Sequence, residues 1–140
     1  MKKIKSVEHA LKALGQTIDF DRLRDGMVEA GMPAGDVDPL IAHYKITKVI
    51  EAHNKLNGNW KADWGDGRQY KYCVWQWIKR DDSKPSGFGF SHSHYDFWFT
   101  RTTVGSRLVV GTYDAAIYIG TDFADLFETA WLIIEQEKSK

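Results

Sequence analysis

One cysteine, Cys73, in 140 residues excludes an internal disulfide framework and suits a reducing compartment. Net charge is also missing: nineteen Lys and Arg balance nineteen Asp and Glu, which excludes a general electrostatic grip on nucleic acid or anionic membrane but leaves room for a local patch. No apolar run approaches the roughly 20 residues that span a bilayer. The start, Met1-Lys2-Lys3-Ile4-Lys5, is basic without the apolar stretch of a signal peptide. No P-loop, dinucleotide fingerprint or Gly-x-Ser-x-Gly is present, so no cofactor and no enzymatic reaction is expected.

What the chain does have is aromatic side chains, 14% of the total with six tryptophans. Its length favours a single domain, 1–140, able to bury about two-thirds of its unfolded surface. Charge and aromatics divide that domain into a helical part (1–58), an aromatic-rich part (59–111) and an acidic tail (112–140). No Pro/Ser-rich linker separates them.

Ser6 caps a first predicted helix with Val7, Ala10, Leu11 and Leu14 on one face and Gly15 as its stop. Asp19 caps a second, whose apolar side is Phe20, Leu23, Met27 and Ala30, ending at Gly31. A third starts at Asp38-Pro39, because proline suits the first helical position, and ends at Gly58. Residues 69–79 are rich in aromatic and β-branched side chains, as strands are. Asp81 to Gly87 is a turn, and a second strand runs from Phe88 to about Thr102, bent or bulged near Gly89. Val104-Gly105 turns into a third strand, Ser106 to Val110. A helical stripe follows from Thr112 through Ala116, Ile119, Phe123, Phe127 and Ile134, with a kink or split at Gly120. The expected fold is α+β: N-terminal helices, a three-stranded antiparallel β-meander, and a C-terminal helix packed on the sheet.

The segments Ile41-Ala42-His43-Tyr44-Lys45, Trp60-Lys61-Ala62-Asp63-Trp64, Tyr70-Lys71-Tyr72, Trp75, Gly87-Phe88-Gly89-Phe90-Ser91 and Val104-Gly105-Ser106-Arg107-Leu108 occur in that order. In these the chain resembles a group of small proteins encoded by phages and prophages of Bacteroidetes gut bacteria. The resemblance implies an origin and a compartment, the cytoplasm of the bacterial host, and no reaction. His92, His94 and Cys73 depart from the group's pattern, which counts against a shared site built on them.

Strand alternation supplies the candidate sites. His92, His94 and Asp96 share one side of the second strand, a spacing that suits a divalent metal and a metal-dependent hydrolase, although a solvated strand face is the plainer reading. Asn57 to Gly67 has the oxygen-rich composition of a calcium loop but lacks its fixed acidic positions and closing glutamate; turns anchored by Trp60 and Trp64 are the plainer reading. In the first strand Lys71, Cys73, Trp75, Trp77 and Lys79 share a face, to which Trp98 and Arg107 add a ring and a charge. Core packing is the plainer reading of most of these rings; beyond it, rings with cations suit a protein interface first and single-stranded nucleic acid second. For Arg107 an ion pair with Asp63 or Asp96 is the leading role, ahead of binding a phosphate. The leading expectation is a non-enzymatic accessory protein that binds a protein partner or itself, as a homodimer. The alternative is a single-strand nucleic-acid factor, and metal-dependent hydrolysis is a distant third.

Overall fold

The computed structural model describes residues 1–133. Five helices, α1 (Val7–Leu14), α2 (Phe20–Glu29), α3 (Ala34–Leu56), α4 (Tyr113–Asp122) and α5 (Ala124–Trp131), accompany three strands, β1 (Lys71–Arg80), β2 (Phe88–Trp98) and β3 (Val109–Val110). The architecture is α+β with an antiparallel sheet, as the patterning predicts. No helix among the described residues is long and apolar enough to cross a membrane.

Local chemistry sets the ends of α1 and α2. The Ser6 side chain accepts from the His9 amide and Gly15 closes α1 at φ 67°, while Asp19 accepts from the Arg22 amide to open α2. The third helix differs from expectation. It begins at Ala34, five residues before Pro39, and carries that proline inside its second turn. Proline there forgoes the bond to the carbonyl four residues back, that of Gly35, and its ring crowds that carbonyl, yet the helix continues through it.

Strand order is β2-β1-β3, so β3 pairs with β1, where a meander would set it beside β2. The predicted third strand also shortens. Ser106–Leu108 form a 3-10 turn and only Val109 and Val110 pair, opposite Cys73 and Tyr72. The chain must cross one end of the sheet to reach the far side of β1, and residues 99–108 are spent on that crossing. The β1–β2 register slips between Trp77 and Ile78, leaving Ser91 as the extra residue of a bulge two positions after Gly89.

The tail helix divides at Phe123 rather than at Gly120. Gly120 serves another purpose: a Cβ there would lie 2.8 Å from Val74 Cγ1 and 3.1 Å from Ser93 Cβ, so the glycine lets α4 settle onto the sheet. Both α1 and α5 pack on α3, and α4 packs on β1 and β2. Ile4, Ile46, Val49, Ile50, Val110, Ile119 and Phe127 fill the core between them. Ile134, predicted to extend the stripe, lies outside the described residues.

Candidate functional site

The pleat gives the sheet the two faces that alternation predicts. Tyr72, Val74 and Gln76 with Phe97, Tyr95 and Ser93 lie on the helix side. Gln76 Nε2 donates to the Gly120 carbonyl at 2.9 Å and its Oε1 accepts from Ser93 Oγ at 2.7 Å, which satisfies the buried amide under α4. At the start of α4 and beyond it, the same side carries a cluster of rings. Tyr70 packs on Phe99 at 4.7 Å and on Phe97 at 5.2 Å between centroids, and Tyr95 on Tyr113 at 5.5 Å. Tyr70, Phe97 and Tyr113 are exposed. Burial, then the neighbouring tyrosines, push the Tyr72 phenol up, so it stays protonated.

The opposite face is divided. At one end Lys71 is completely buried, its Nζ donating to the Asp66 carbonyl at 2.9 Å and standing 5.4 Å from the Trp64 ring. Trp64 is itself held by Nε1–H donating to Ser106 Oγ at 2.7 Å. Beside Lys71, Cys73 is buried and accepts from Trp98 Nε1 at 3.4 Å; burial raises its thiol above the ordinary range. Lys71, expected as a free phosphate ligand, is therefore an internal strut. Alternation alone could not reveal this, because the cover comes from the 57–70 loop, whose path depends on tertiary packing.

The other end is open. Trp75 and Trp77 pack edge to face at 4.7 Å, with His94 opposite Trp75 and His92 opposite Trp77. Both indoles are exposed, Trp77 by 50%, and with Asp96 they line a shallow groove of about 550 Å³. The cations expected beside these rings are not gathered there. Arg107 sits in the 3-10 turn and lines a different cavity, next to Trp60, and no carboxylate among the described residues pairs with it. Lys79 lies past the groove toward the hairpin tip and is exposed.

The three metal candidates do not converge. His94 Nδ1 lies 3.3 Å from the Tyr95 carbonyl, His92 Nδ1 lies 3.4 Å from Ser91 Oγ, and Asp96 accepts from the Phe97 amide at 2.8 Å. Among the described residues no group of three or more His, Cys, Asp or Glu is placed to hold a metal. The 57–70 loop follows its plainer reading: Asp63 accepts from the Gly65 amide and Asp66 from the Arg68 amide, both local turns.

With β1 central, the outer edge of β2 is eleven residues long and no strand among the described residues pairs with it, against two residues for β3. The sequence Phe-Gly-Phe-Ser-His-Ser-His-Tyr-Asp-Phe-Trp contains no lysine, arginine, glutamate or proline, and its guards are one carboxylate, Asp96, and the bulge at Ser91. No protein-family model matches the chain, and neither curated proteins nor solved structures give a match, so its chemistry is read from these residues alone.

Proposed function

We propose that this chain works by binding, taking a further β-strand onto the outer edge of β2, and that a second copy of itself is the first occupant. The observation that carries this is the length of that edge, unpaired among the described residues, with rings on both faces of the sheet beside it. Backbone amides and carbonyls along the edge supply the affinity of strand addition, and side chains on the two faces supply selectivity. Trp75 and Trp77 on one face, Tyr70 and Phe97 on the other, are the kinds of rings that dominate interface energies. On this reading the chain needs no cofactor and performs no turnover. The role on this reading is that of an accessory factor, and the resemblance to phage and prophage proteins supports a phage origin and the cytoplasm of a bacterial host as its compartment.

The test is sedimentation velocity over a wide concentration range, on the parent chain and on the double variant His92→Lys, His94→Lys. Both histidines are exposed, so the variant retains its fold, which far-UV circular dichroism checks. A dimer that dissociates in the variant supports pairing through β2. A monomer at the highest soluble concentration overturns self-pairing.

A further inference from the structure

A cavity of about 510 Å³ lies on another part of the molecule, between the C-terminal half of α3, the loop that follows it and the 3-10 turn at Ser106–Leu108. Its volume falls in the range of small-molecule sites. Two features mark its lining. The first is Asn54. Its Nδ2 donates to the Val109 carbonyl at 2.9 Å, and its Oδ1 is buried without a partner. Turning the carboxamide over would set oxygen against the Val109 carbonyl, acceptor facing acceptor, so the free group is necessarily the oxygen. That oxygen has no surface open to the cavity, so it belongs to the wall and makes no bond to a ligand.

The second feature is charge beside a fixed ring. Lys55, Lys61 and Arg107 line the cavity against one carboxylate, Glu51, which Lys48 already engages at 2.9 Å. No carboxylate among the described residues pairs with Lys61 or Arg107, and Lys55 Nζ donates only to the Ala13 carbonyl at 3.0 Å. Trp60 lines the same space. Its ring lies so close to Gly111 that a Cβ there would come within 2.8 Å of it, and its amide donates to the Asn54 carbonyl at 3.0 Å, so both ends of the residue are held.

From this combination we infer that the cavity binds a nucleoside phosphate, free or as the end of a strand. A base packs on the Trp60 ring, while the phosphate meets Arg107 and Lys61. Inorganic phosphate would leave the ring unused, and an apolar ligand would leave the cations unused. The inference does not depend on pairing at β2, which uses other residues.

Isothermal titration of the whole chain at low salt with AMP, GMP, CMP and UMP, with inorganic phosphate, and with a 5′-phosphorylated oligonucleotide tests this. At least one nucleotide is expected to bind saturably and more tightly than phosphate. Arg107→Gln and Lys61→Gln, both at exposed positions, are each expected to weaken it about tenfold. An oligonucleotide that binds more tightly than the mononucleotides assigns the site to a strand end, and the reverse order assigns it to free nucleotide. Absence of saturable binding by every nucleotide and the oligonucleotide, phosphate binding as tight as theirs, or affinity unchanged in both variants overturns the proposal.

Discussion

His53 Nδ1 and Tyr118 Oη lie 2.7 Å apart in the core, joining α3 to α4. The same phenol oxygen accepts from the Ile4 amide at 3.2 Å, so one hydroxyl ties the N-terminal segment to both helices. Burial raises the Tyr118 phenol, which therefore keeps its proton and donates it to His53. Burial first, and the positive N-terminal amine second, lower His53 from 6.5 to about 4, so the imidazole is neutral in the fold with its own proton on Nε2.

That relationship sets an acid limit on stability. The unfolded chain takes up a proton near pH 6.5 and the folded chain only near 4, so the contribution is complete above 6.5 and is lost as pH falls toward 4. The loss is about 3 kcal/mol, taking 1.36 kcal/mol per pH unit. Urea unfolding at a series of pH values should show this slope, and His53→Gln should flatten it.

Gly120→Ala should destabilise the protein by about 1–3 kcal/mol, because the added methyl meets a β-branched side chain on a paired strand. Its nearest neighbour, Val74 Cγ1, would be 2.8 Å away. Gly26→Ala in α2, where nothing lies within 4 Å of the new methyl, should stabilise slightly. Comparing the two melting temperatures separates packing from helix propensity.

Lys71→Met keeps most of the buried stem but removes the charged and shorter of the two bonds to the Asp66 carbonyl, which keeps only the Gln69 amide at 3.3 Å, and should cost about 1–3 kcal/mol. Chemical denaturation measures it. The variant should leave any ligand affinity unchanged, the outcome opposite to that of an exposed phosphate-binding lysine.

Cys73 should resist a water-soluble disulfide reagent in the native protein. Its thiol is buried, raised by that burial and covered by Trp98. Labelling should occur at the rate of opening, rising with denaturant in step with unfolding. Trp98→Ala should speed labelling well before it unfolds the chain.

Much of this fold is legible in short stretches of chain. Ser6 and Asp19 start helices because a side-chain oxygen reaches an amide three residues on, and Gly15 stops one because it adopts a positive φ at no cost. The two faces of β1 and β2 follow from the pleat, as alternation predicts, until the bulge at Ser91. These are interactions within four or five residues, or a periodicity of two, and the local order of residues carries them.

Other outcomes belong to the tertiary structure. Pro39 marks a helix start by local rule, yet packing along α3 extends that helix five residues before it. The face that carries Lys71 and Trp77 is uniform by alternation, but the 57–70 loop buries one and leaves the other exposed. Which strand lies beside β1 decides that β2 keeps a long outer edge, unpaired among the described residues, and Asn54, Trp60 and Arg107 meet around one cavity although 53 positions separate the first from the last. Caps and periods are set by neighbours along the chain, whereas cover, strand order and cavities depend on which distant surfaces gain most by leaving water together.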